Sequence, residues 1–311
     1  MTTSRRRYAA VSAALGTVLA VAGLAFVIAT ILNDRSAYGD VLRQARWGWA
    51  VLGVALALLG MSALGLVWHS VLAALGAPTK RTDVFAWYQV GNLGKYVPGG
   101  VFQVLGRAEL ATRGGVPRSI AYNSVALSMG ATYLCGALLA ALLLPFALTE
   151  HLSLGRVWWV FLVIPVGLTA LHPRVLHTLF LVAEKAFGGS DQRQVPTART
   201  SLLLVARHAP GWLLNGLACY AVALALTRDA PFLTIMFAAI ASWVAGFLVV
   251  VVPGGIGVRE AVFVAVVQTT MPGGTAATIA LASRLAFVSG DLLGAGLALL
   301  SPWRVRRARA A

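Results

Sequence analysis

The stretch VVPGGIGVRE, residues 251–260, decides how the rest of the chain is read. It breaks an apolar run at Pro253, Gly254 and Gly255, passes through Gly257, and places Arg259 and Glu260 at the head of another apolar run. Proline removes a backbone donor and clashes with the preceding turn, and two following glycines make continued helix costly. A second version, YVPGGVFQVLGRAE at 96–109, carries Pro98, Gly99 and Gly100 and then Arg107 and Glu109. The two are similar but not identical. Six residues separate Gly100 from Arg107, and three separate Gly255 from Arg259.

The surroundings are those of a membrane protein. Of 311 residues, 59% are hydrophobic and only 11% are charged, against about 25% charged in soluble domains. Apolar runs cover 8–32, 47–75, 120–148, 157–172, 200–226, 232–252 and 275–300, and weaker ones 84–106 and 256–270. A full crossing needs about 20 such residues. In hydrocarbon, an unpaired backbone group costs several kcal/mol, so a broken helix survives only where protein or a water-filled cavity covers it. Paired breaks in two halves of a transporter mark a substrate site near the midplane. The net charge of +15 resides mainly in loops and at the chain ends, the pattern of cytoplasmic faces and anionic headgroups. No stretch is long and polar enough for a nucleic-acid surface.

Arginine placement sets the expected topology. Residues 1–7 and 303–311 are basic, and 173–199 holds Arg174, Lys185, Arg193 and Arg199, so all three are expected on the cytoplasmic side. A complete crossing by 84–106 would put 173–199 outside. The fold expected is therefore an all-α polytopic membrane protein, a single domain over 1–311, with about six full spans. Two re-entrant, broken helical hairpins, one entered from each side, form an inverted repeat. Arg35, Arg43 and Arg46 in the loop 33–46 run against this charge rule. Residues 174–188 are expected to form an interfacial amphipathic helix.

The chemistry expected at the breaks is that of an anion receptor. The helix beginning after Gly255 would aim free N–H groups and a positive dipole end at the site, with Arg259 on its first turn. Glu109 competes with a ligand as counter-charge for Arg259. Arg284 and Asp291 interrupt the last run seven residues apart, on one helical face, either as a functional pair or as two charges with partners elsewhere. Arg207 and His208 are read as facing headgroups, Gln103 as interhelical glue, and Gly53, Gly60, Gly65 and Gly130 as close-packing positions. The histidines form no H-E-x-x-H motif and there is no G-K-[ST] phosphate loop, so no enzyme, metal or cofactor is expected.

VVPGGIGVREAVFVAVV and GNLGKYVPGGVFQVLGRAEL resemble the two hallmark stretches of the lysylphosphatidylglycerol synthase transmembrane-region family. The resemblance implies a flippase-like domain of the bacterial cytoplasmic membrane, here without the aminoacyl-transfer domain of full-length synthases. It places Pro253, Gly254, Gly255, Gly257, Arg259 and Glu260 in one hallmark, and Asn92, Gly94, Lys95, Pro98, Gly99, Gly100, Arg107 and Glu109 in the other. The expected function is movement of an anionic lipid, a phospholipid or polyprenyl-phosphate-linked sugar, between leaflets. Arg259, Arg107, Lys95 and Arg284 would bind phosphate, and Glu260, Glu109 and Asp291 would be charge partners. The alternatives are a scaffold or partner for a glycosyltransferase or envelope complex, and an integral-membrane transferase using a lipid-phosphate donor.

Overall fold

Uncharged runs of this length form helices because lipid offers no partner for backbone N–H and C=O groups, and a helix satisfies them internally. The computed structural model describes residues 45–96, 102–147, 162–170, 172–178, 195–248, 255 and 257–300, and no strand occurs among them. Ten helices organise the described chain, besides a helical stretch at 173–178: α1 Trp47–Ala74, α2 Arg81–Asn92, α3 Phe102–Arg113, α4 Arg118–Ala147, α5 Val163–Ala170, α6 Ala198–Arg207, α7 Ala209–Leu226, α8 Phe232–Leu248, α9 Val258–Val267 and α10 Gly273–Leu300. A 3-10 turn, Leu93–Tyr96, extends α2.

Four segments are long and apolar enough to cross a membrane: α1, α4, the nearly continuous α6–α7, and α10. At 28 residues, α1 and α10 each extend about 42 Å, more than a bilayer core of about 30 Å. The chain is thus a multi-pass membrane protein with four spans among the described residues, against the six expected. The run 8–32 lies outside the described residues. Of 157–172, the described helix is α5, with eight residues. The expected amphipathic helix at 174–188 also lies largely outside them.

The helices beside each break are too short to cross. Helices α2 and α3 have 12 residues each, about 18 Å, and α8 and α9 have 17 and 10, about 25 and 15 Å. Within each pair, the two helices pack on each other. The α2–α3 contacts nest, with Gly94 against Phe102, Gly91 against Arg107 and Trp87 against Gly114, so the two run antiparallel. The chain doubles back between α2 and α3 as a hairpin, and α8 and α9 form the second pair.

Helix α1 is the central element. It packs most extensively on α7 and also contacts α10, α2 and α4. Its approach to α7 leaves no space at Gly60, where a Cβ would lie 2.2 Å from Asn215 Oδ1. Gly130, expected at a close approach, instead has open space beside it. Arg46 departs from the charge rule because it serves as a cap. Its guanidinium donates to the carbonyls of Leu224 and Thr227 at the end of α7, the helix terminus where a cation is favoured. His208, expected at the headgroups, is buried between α6 and α7, whereas Arg207 is exposed. Two hydrophobic clusters fill the interior, and Trp243 of α8 packs against both.

Candidate functional site

The polar centre of the fold is assembled by α2, α3, α8, α9 and α10. Asp291, 1% exposed, projects from the middle of α10. Its carboxylate accepts from Asn92 Nδ2 at 2.8 Å and from the Tyr96 hydroxyl at 2.5 Å. Lys95 Nζ lies 2.5 Å from the same Oδ2. The lysine contact lacks hydrogen-bond direction, so charge holds the pair. The carboxylate needs these partners, because an ion buried in the membrane is tolerated only when compensated.

Asn92 extends this cluster to the first arginine. Its Oδ1 accepts from Arg107 Nη2 at 2.9 Å and from Gln103 Nε2 at 2.7 Å, while its Nδ2 faces Asp291. Donors on one side and an acceptor on the other fix the amide orientation. The Arg107 guanidinium lies 3.9 Å from the centre of the Tyr88 ring, and its Nε, buried, has no hydrogen-bond partner among the described residues.

The second arginine has a similar bed. The Arg259 guanidinium lies 3.6 Å from the centre of the Trp243 ring and 5.9 Å from that of Phe287. Its Nε is also buried without a hydrogen-bond partner among the described residues. A cation over an aromatic face is attracted by the ring quadrupole, but the ring supplies no counter-charge. In both hairpins the arginine crosses a glycine of the preceding helix. A Cβ on Gly91 would lie 2.7 Å from Arg107 Cγ and 2.9 Å from its backbone N, and one on Gly246 would lie 2.4 Å from Arg259 Cγ.

Glu260 serves as a charge partner, for Arg284, and also caps its own helix. Its Oε2 accepts from the N–H of Gly257 at 2.6 Å, so the carboxylate folds back on the N-terminus of its own helix. Its Oε1 pairs with Arg284. The N–H of Gly257 is thus taken within its own helix rather than left for a ligand. Gly255 and Gly257 provide the turn into α9, with φ of +66° and +84°, values that favour glycine.

The remaining expectations resolve as follows. Arg284 and Asp291 do not pair with each other; each takes a partner from a different hairpin. Glu109, proposed as a counter-charge for Arg259, pairs instead with Arg113 at 3.0 Å on the surface, where the two side chains are 38% and 58% exposed. Pro98, Gly99, Gly100, Pro253 and Gly254 lie outside the described residues.

Two cavities meet at Trp243. One is lined by Arg259, Glu260, Arg284, Ser242, Ser283 and Phe287, among others. The other includes Arg107, Tyr88, Gln103, Thr132, Tyr133 and Trp212 in its walls. Such surroundings suit a phosphate: guanidinium forks for its oxygens, hydroxyls nearby and aromatic walls.

Sequence reading missed the aromatic beds, Tyr88 and Trp243, although a signal for them exists. YQVGNLGKYVPGGV at 88–101 aligns without a gap on WVAGFLVVVVPGGI at 243–256. In both, the aromatic residue lies ten positions before the break proline and the glycine seven before it. The three-residue difference noted above falls entirely after the break. Tyr96 was also missed, and Asn92, expected among the residues that shape the break and its cavity, is the bridge between two charges.

No curated protein matches the chain. The family model described as the lysylphosphatidylglycerol synthase TM region matches residues 12–289, which include both hairpins and every charged residue of this centre except Asp291. That match covers most of the chain, and the protein belongs to the lysylphosphatidylglycerol synthase TM region family.

Proposed function

We propose that the protein binds the phosphate of an anionic lipid headgroup, on a phospholipid or a polyprenyl-phosphate-linked sugar, and lets it cross between the leaflets of the bacterial cytoplasmic membrane. The observation that carries this reading is the state of Arg259. It lines a cavity, lies over Trp243, and has no carboxylate partner among the described residues, because Glu260 is held by Arg284 and by the N-terminus of α9. A guanidinium at membrane depth costs at least about 2.5–3.5 kcal/mol on insertion scales. A lipid phosphate supplies the missing charge, and its bidentate oxygens match the guanidinium fork.

In this reading the two hairpins enter from opposite faces, as an inverted repeat, and both termini are cytoplasmic. The protein carries out no covalent chemistry, and it works beside a glycosyltransferase that makes or uses the lipid. Arg107 is the second phosphate ligand, while Lys95 and Arg284 keep the two carboxylates neutralised. Family membership supports a lipid-related role, and the pairing of short hairpins with long spans supports a passage lined by protein.

Exchange of a fluorescent anionic lipid between leaflets of proteoliposomes tests the proposal. Arg259→Gln keeps polarity and most of the length without the charge, and it is expected to abolish exchange while the protein still purifies as a folded species. Glu109→Gln, at the surface pair, is expected to exchange lipid as wild type does. Wild-type exchange by Arg259→Gln would refute the assignment.

A further inference from the structure

Among the described residues the charges around Trp243 do not cancel, and the imbalance specifies the ligand more closely. Four cations gather there: Lys95, Arg107, Arg259 and Arg284. Two carboxylates face them, Asp291 on Lys95 and Glu260 on Arg284. The other described acids are not part of the group. Glu109 pairs with Arg113 on the surface, Asp83 lies in the first turn of α2, and Asp229 is in the exposed loop before α8. Among the described residues, Arg107 and Arg259 are therefore both left without a counter-ion. They are parts of one electrostatic cluster, since Lys95 lies within range of both. Each has a buried Nε without an acceptor, and Trp243 lines the cavity of each.

We infer that the site is built for a headgroup carrying two negative charges on phosphate, a phosphomonoester or a diphosphate, and selects it over a singly charged phosphodiester. The inference rests on the phosphate-binding reading above and narrows it. Two uncompensated guanidiniums are matched by two anionic charges, and a buried ion left without a partner is strongly unfavourable. A phosphodiester satisfies one arginine and leaves the other bare. A headgroup that also carries amines adds cations to a centre already in surplus. The two arginines come from different hairpins, so a dianion also ties α3 to α9 through a single ligand.

Three lipids with the same diacylglycerol tail isolate the charge. Phosphatidic acid at pH 8 is a phosphomonoester near its dianionic form, because the second ionisation of such a group lies near about pH 6. Diacylglycerol diphosphate offers its charge on two phosphorus atoms. Phosphatidylmethanol is a monoanionic diester. Their binding to the protein in phosphatidylcholine nanodiscs can be measured by native mass spectrometry. At least one of the first two is expected to bind tighter than phosphatidylmethanol by about tenfold or more, the factor of one charge-assisted hydrogen bond. Which of the two binds tighter identifies the source of the second charge. Arg107→Gln and Arg259→Gln, each removing one cation, are expected to reduce that preference to within about threefold. Should either variant fail to fold, the wild-type ratio still decides. Phosphatidylmethanol binding as tightly as both dianions overturns the inference and leaves the phosphate site standing. Failure of all three to bind overturns both.

Discussion

The two hairpins repeat one arrangement and put it to different use. In each, an arginine of the second helix lies on an aromatic ring and over a glycine three positions later in the first helix: Tyr88, Gly91 and Arg107 in one, Trp243, Gly246 and Arg259 in the other. The first arginine is tied through Asn92 to the Asp291–Lys95 pair. The second has no such tether, because the neighbouring carboxylate caps its own helix and pairs with Arg284. The same backbone crossing thus yields one arginine fixed in a polar network and one held, among the described residues, by a ring. The first arrangement favours a defined structure; the second is the one that the proposed function uses for exchange of a ligand.

The largest effect is expected on the tethered side. Asp291→Leu leaves Lys95 buried without its counter-charge, and loss of one partner of a buried pair costs about 3–5 kcal/mol. A sharp drop in thermal midpoint, read by tryptophan fluorescence in detergent, is expected, and Lys95→Met in the same chain is expected to recover much of it. If Lys95→Met recovers nothing, charge pairing is not what Asp291 contributes.

The glycines separate the hairpins next. In Gly91→Ala the new Cβ meets the backbone of Arg107, which cannot swing away, and the fold is expected to lose about 1–3 kcal/mol. In Gly246→Ala it meets the Arg259 side chain first. That side chain can be displaced from Trp243, so lipid exchange is expected to fall more than thermal stability. Equal losses of both properties in the two variants would erase the distinction between fixed and exchangeable arginines.

Trp243→Leu removes the bed of the exchangeable arginine. A cation–π contact of this kind contributes about 0.5–2 kcal/mol, so lipid affinity measured in nanodiscs is expected to fall by up to about thirtyfold. The smallest effect belongs to the surface pair. Arg113→Ala breaks an exposed i,i+4 contact with Glu109, and is expected to shift stability by less than about 0.5 kcal/mol and exchange not at all. A large loss there would mean that Glu109 serves the site after all.

Much of this centre was legible in the sequence. The breaks announced themselves because P-G-G inside an apolar run has no cheap structural use, and Arg107 and Arg259 stood out as charges beside them. The partners the carboxylates actually take were not legible. Glu109 follows Arg107 by two positions and Glu260 adjoins Arg259, yet neither pairs with that arginine, since i,i+1 and i,i+2 neighbours do not face each other on a helix. Their partners come from one turn away, Arg113, or from another helix, Arg284. Asn92 was hidden for a similar reason. Its role depends on Asp291, 199 residues away in sequence, which only the packing of α2 on α10 brings near. The four spans among the described residues are four of the six expected; of the other two, 8–32 lies outside the described residues and 157–172 is described only as the eight-residue α5.

The most direct test of the central claim is an electron cryo-microscopy map of the protein in nanodiscs containing an anionic phospholipid, at a resolution that shows headgroups. The account predicts phosphate density within hydrogen-bonding distance of the Arg259 guanidinium as it lies on Trp243, and loss of that density in Arg259→Gln. A map in which backbone carbonyls of residues 249–254 take every N–H of Arg259, with no lipid phosphate in either cavity, would contradict it.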